Sequence, residues 1–201
     1  MGDNIEHIRE RLETIRAACD EAVRRRDGAE YSAAHDQMLL VERELASLEM
    51  QEYAEPIKEA AWRPAYPEPL IWHDGHTAWL ICPQPSSRRP LLCKAIKFGH
   101  VLGLRVSVVS DTLEEQPLNG KGLESCMALQ VKNSRWISNL RATYDEDQYW
   151  SDVRHFAMCF EDSLVEVVAK SVEWIDSENT LAVWVENATG VAVNSPTFNA
   201  I

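Results

Sequence analysis

The chain has 201 residues, 45% of them apolar, with seven Trp, five Cys and a net charge of −12 from 20 Lys and Arg against 32 Asp and Glu. That is enough for one globular domain and an appendage, and it excludes wholesale disorder, collagenous repeats and a disulfide scaffold. No uncharged apolar run approaches the roughly 18 residues that span a bilayer. The acidic start Met1-Gly2-Asp3-Asn4-Ile5-Glu6 reads neither as a signal peptide nor, with Glu6 where Ser or Thr is wanted, as a myristoylation site.

Charge is unevenly spread: −7 over residues 1–55, +3 over 56–112 and −8 over 113–201. The one dense basic run, Arg24-Arg25-Arg26, is followed at once by Asp27 and Glu30. A stripe able to neutralise successive phosphates is missing, so nucleic acid is not an expected partner. The acidic balance suits a basic protein surface instead. Cys19, Cys82, Cys93, Cys126 and Cys159 are odd in number and lack a CxxC pair, which points to reduced thiols in a cytoplasmic protein.

Residues 1–53 carry the clearest periodicity. Ile5, Ile8, Leu12, Ile15, Cys19 and Ala22 step by three and four, and Tyr31, Ala34, Met38, Val41, Leu45 and Leu48 repeat the pattern. Each set lies on one helical stripe, as in a coiled-coil seam. Asp27-Gly28 offers a positive-φ residue between them, so the two helices fold back as an antiparallel hairpin. Its short, diluted seam fits packing on its own domain or on another hairpin, in a homodimer or a partner.

Residues 54–69 hold Pro56, Pro64, Pro67 and Pro69 and read as a Pro-rich linker. Alternation begins at residue 70. Leu70–His73 and Thr77–Ile81 flank Asp74-Gly75, a hairpin signal, with Trp72 and Trp79 as cross-strand neighbours. Leu92–Phe98 and Leu102–Val109 predict two further strands parted at Gly99 or Gly103. Met127–Val131 predicts a short one, and Asn133 or Ser134 caps a helix through Trp136, Ile137 and Leu140. Phe156, Met158 and Phe160 share a strand face, Glu161-Asp162-Ser163 turns the chain, and Val165, Val167 and Ala169 return. Leu181–Val185 predicts the last firm strand and Val191–Val193 a weak one, with 194–201 as a tail. The fold class is therefore α+β: a helical hairpin, then a mainly antiparallel β-rich domain over 70–193, sheet or small barrel, with one short helix.

The chemistry is sparse. His73 and His76 flank the Asp74-Gly75 turn, where two imidazoles facing across a ladder can hold a metal with a third ligand from His100 or His155. His155 otherwise lacks an oriented partner and reads as structural. Glu161, Asp162 and Glu166 read as a solvated turn, and Trp150 beside Tyr149 as the most exposed tryptophan. No GxSxG, Walker A or GxGxxG motif occurs, and no cofactor is implied. The resulting expectation is a non-enzymatic cytoplasmic interaction protein, such as an immunity-type inhibitor or an adaptor subunit. Glu161, Asp162, Glu166, Trp150 and Tyr149 would be its partner-binding residues. The alternative is a metal-dependent enzyme or small-ligand-binding β-domain centred on His73 and His76.

Overall fold

The computed structural model describes residues 2–64, 68–84, 92–108, 118–143, 147–160 and 162–191. Two helices, α1 (Gly2–Arg25) and α2 (Gly28–Leu48), precede any strand. Their seam is the expected one except at Tyr31, which is exposed: Ile8, Leu12, Ile15 and Cys19 are buried with Val41, and Ala34, Met38, Leu45 and Leu48 pack against them. Ion pairs Arg9–Glu49 at 2.6 Å, Arg11–Glu44 at 3.4 Å and Arg16–Glu42 at 3.6 Å tie the helices together along their length. The turn differs from expectation. Arg26 takes the positive φ, and Asp27 caps α2 by accepting the Glu30 N–H at 3.0 Å, leaving Gly28 as the first residue of α2.

Seven strands follow: β1 (Tyr53–Pro56), β2 (Leu70–His73), β3 (Thr77–Pro83), β4 (Leu92–Val108), β5 (Ala128–Lys132), β6 (Arg154–Cys159) and β7 (Ser163–Thr180). They form one antiparallel sheet in the order β1-β5-β6-β7-β4-β3-β2. The sheet is open, so of the two expected architectures the molecule adopts the sheet and not the barrel. Among the described residues there are also two further helices, α3 (Arg135–Thr143) and α4 (Leu181–Thr189), and a 3₁₀ turn at Asp147–Trp150.

Several local expectations change. Tyr53–Pro56, expected to straddle the end of the hairpin and the start of a linker, forms the edge strand β1 on β5; Pro56 sits at an edge, where a missing N–H is tolerated. The two strands expected over 92–109 are one 17-residue strand. It stays paired with β7 through register shifts at Cys93/Ala95 and Val101/Gly103, with His100 at positive φ between them. Leu181–Val185 is helical, because Leu181, Trp184, Val185 and Ala188 repeat at helical spacing and Gly190 ends the helix in the left-handed region. Most of the weak strand expected at Val191–Val193 and all of the tail lie outside the described residues.

Apolar side chains cover both sheet faces. One face carries Leu80, Ile96, Phe98, Phe156, Met158, Phe160, Val165 and Val167, closed over by Ile57, Ala60 and Trp62. Phe98 and Phe156 stand on strands either side of β7, and their ring centroids are 5.4 Å apart. The opposite face is divided. Leu129, Ala157, Cys159 and Leu164 lie under Leu118, Leu123 and Met127. Trp79, Ile81, Cys93 and Ala95 lie under Trp184 and Ala188 of α4. Trp72 does stand opposite Trp79 in register, while the Trp79 ring neighbours Trp184 at 6.1 Å.

The hairpin is anchored through α2. Arg43 donates to the Ala54 carbonyl at 2.8 Å and the Gly122 carbonyl at 3.1 Å, and the Gly122 N–H reaches Glu42 at 3.4 Å. Gly122 has φ +84°, and a Cβ there would lie 2.4 Å from the Ala54 oxygen, so only glycine permits this approach.

Candidate functional site

Between the two apolar patches of the divided face lies a polar one, built where β5 hands over to α3. Asn133 turns the chain at positive φ, and Ser134 caps the helix, its Oγ accepting the Ile137 N–H at 3.1 Å. Two ties fix this junction: Asn133 Nδ2 donates to the Gln51 carbonyl at 3.1 Å, and the Arg135 N–H donates to Glu52 at 3.1 Å. Both acceptors belong to the short stretch joining α2 to β1.

A chain of hydrogen bonds then runs across the sheet. Ser134 Oγ is 2.9 Å from His155 Nδ1, and His155 Nε2 is 3.1 Å from Glu166 Oε1. Arg105 closes the chain, with Nε at 2.5 Å and Nη2 at 2.6 Å from the two Glu166 oxygens. Ser134, His155 and Glu166 are 6%, 1% and 3% exposed. Strand periodicity explains the convergence: Arg105 and Glu166 are register partners on β4 and β7, and His155 lies two strands from Arg105 on the same face. The Trp136 indole roofs the cluster, its edge against His155 at 5.3 Å and its face under the Arg105 guanidinium at 4.5 Å.

The protonation pattern follows from the partners. Burial alone would push the Glu166 carboxyl up, but the hydrogen bonds from His155 and Arg105 and the Arg105 charge hold it below its ordinary value. An ionised carboxylate only accepts, so the imidazole proton resides on Nε2. In the neutral ring Nδ1 is then an acceptor facing the Ser134 hydroxyl. Ser134 and His155 also line an open cleft of about 490 Å³, with Gln130, Ser138, Arg154 and Met50 among its other walls.

The expectation that His155 lacks an oriented partner is thereby corrected, and so is the reading of Glu166 as a solvated turn residue. Glu166 is internal. Asp162 is exposed, with its N–H 3.2 Å from Glu68, and Glu161 lies outside the described residues. Tyr149 is exposed, but Trp150 is 8% exposed and so is not the exposed tryptophan expected. Tyr149 sits beside Lys170, at the opposite end of the β6–β7 hairpin from Asp162, so the five expected partner-binding residues do not share one patch.

His73 and His76 do not face each other. The turn is centred on Gly75-His76, with Gly75 at φ +96°, and His73 stands opposite Ala78. His76 and His100 instead line a cleft of about 410 Å³ with Lys97, Ser171 and Glu173. Among the described residues no group of three or more His, Cys, Asp or Glu is arranged to hold a metal ion.

One signal for the internal cluster was present in the sequence. In Leu164-Val165-Glu166-Val167-Val168 both strand faces are apolar, so a carboxylate at the centre has to be buried and paired. No known family model, curated protein or solved structure matches the chain.

Proposed function

We propose that the chain is an acidic protein-interaction module that grips a basic protein surface with its helical hairpin. The observation that carries this reading is a gradient along one stripe of α2. Tyr31, His35, Leu39, Glu42 and Ala46 recur at steps of three and four. Leu39, Glu42 and Ala46 are buried at 3%, 5% and 4%, whereas Tyr31 is 40% exposed. The stripe that docks α2 on its own domain therefore continues outward to an exposed Tyr31 stacked on a half-buried His35, 5.6 Å between ring centroids.

Charge supports the choice of partner. The arm's arginines mostly face its own glutamates, as in Arg24–Glu21 at 2.8 Å and Arg16–Glu13 at 2.9 Å. Glu10, Asp20 and Asp36 are exposed and have no ion-pair partner among the described residues. An exposed tyrosine amid unneutralised carboxylates suits a cationic surface. An immunity-type inhibitor of a basic enzyme or an adaptor subunit has this character. The cytoplasmic setting belongs to the same reading and rests on five unpaired thiols; no helix is long and apolar enough to cross a membrane.

The test is affinity capture on the intact chain, followed by binding measurements with the purified partner. A basic protein whose binding weakens with salt, and falls at least about tenfold for Tyr31→Ser/His35→Ser, is the expected result. Binding indifferent to those substitutions contradicts the reading. A stable dimer in sedimentation that Tyr31→Ser dissolves would assign the stripe to self-association instead.

A further inference from the structure

Independently of the arm, we propose that Ser134, His155 and Glu166 constitute an acyl-transfer relay, with Ser134 Oγ as nucleophile toward esters of short carboxylic acids. A hydroxyl becomes a competent nucleophile when a base is within hydrogen-bond reach and a third group fixes that base. Both conditions are met here, at 2.9 Å and 3.1 Å. Arg105, gripping both Glu166 oxygens, keeps the orienting group ionised and immobile. The ring is used in reverse of the commonest arrangement, Nδ1 toward the serine and Nε2 toward the carboxylate. The proton logic is unchanged, because in the neutral ring with its proton on Nε2 the nitrogen facing the hydroxyl is the acceptor.

Placement adds to the geometry. Ser134 stands at a strand-to-helix turn, at the N-terminus of the nine-residue α3, where the helix dipole favours developing negative charge. In the first turn, the N–H of Arg135 goes to Glu52 and that of Ile137 to Ser134. The Trp136 N–H lies between these two in the same turn and is the donor assigned to the oxyanion. The cleft of about 490 Å³ reaches both Ser134 and His155 and takes a short acyl ester.

The chemistry balances without a further cofactor. Ser134 Oγ bonds to the ester carbonyl carbon while its proton passes to His155 Nδ1. The bond to the leaving alkoxide then breaks and His155 returns the proton to it. Water adds to the acyl-serine by the same route, releasing the acid and restoring the hydroxyl. Glu166 touches no substrate and acts as a positioning residue through His155.

The intact protein treated with a fluorophosphonate should gain a single adduct, with phosphorus on Ser134 Oγ and fluoride expelled. Peptide mass mapping places it on the unmodified chain, so the result does not rest on a variant that folds. Glu166→Gln preserves shape but removes the fixed carboxylate, and should slow labelling at least about tenfold. p-Nitrophenyl acetate should release p-nitrophenol in a burst that the labelled protein no longer gives. A natively packed protein without an adduct on Ser134, or labelling as fast in Glu166→Gln, would overturn the proposal and leave the network as a structural tie for α3.

Discussion

Arg105 and Glu166 face each other across the β4–β7 ladder, and the guanidinium meets both carboxylate oxygens, at 2.5 and 2.6 Å. The pairing is asymmetric: the Glu166 side chain is 4% exposed and that of Arg105 48%. Removing the arginine strands a buried carboxylate with His155 alone, whereas solvent already screens part of the attraction. Arg105→Met should therefore cost about 2 kcal/mol, less than a fully buried pair would. Urea unfolding midpoints measure it.

The same carboxylate sets an acid limb. Glu166 titrates below its ordinary value of 4.5 in the folded protein, so near that value the unfolded chain binds the extra proton. Its contribution is present above that pH and is lost as pH falls through the folded pKa. Stability should decline on acidification below the ordinary carboxylate range, and Arg105→Met should flatten that limb. Urea midpoints across the acid range check the slope.

Ser134 serves two bonds at once, as cap of α3 and as partner of His155. Ser134→Ala should cost about 1 kcal/mol for the cap and about 1–2 kcal/mol more for the unpaired imidazole nitrogen. Hydrogen exchange should locate the loss in Arg135–Thr143, with β3 and β4 unaffected.

Gly103 has no room for a side chain: a Cβ would lie 2.6 Å from Trp136 Cζ2. Gly103→Ala should push the indole off the cluster, cost about 1–3 kcal/mol, and shift the Trp136 fluorescence. An unchanged emission spectrum and midpoint would contradict this packing.

Thiol reactivity separates the five cysteines. Burial pushes the Cys159 thiol up to about 11 and raises those of Cys19, Cys82 and Cys93 as well. Cys126 is half-buried. A disulfide reagent should modify Cys126 quickly and the other four only on unfolding; two fast thiols would contradict the packing.

What the sequence made legible was period and local punctuation. The 3-4 steps gave the α1–α2 seam, alternation gave the strands, and Asn133 or Ser134 as a cap announced α3. Contacts between distant segments carry no such signature. The turn at 161–163 announced the β6–β7 hairpin, but nothing local reveals that β5 lies beside β6 or β4 beside β7, so the Ser134–His155–Glu166–Arg105 chain emerges only with strand order. Leu181–Val185 misled because five mostly apolar residues suit either period, and only Ala188 and Gly190 beyond them resolve it. Tyr31 keeps the seam's spacing, yet its ring stacks on His35 and stays 40% exposed outside the seam.

The most direct test of the proposed function is hydrogen exchange on the intact chain, alone and with its captured partner. Protection should appear over the outer arm, residues 20–38, and stop at Leu39, which is already buried in the free chain. Protection confined to the sheet, with the arm exchanging as in the free protein, would contradict it.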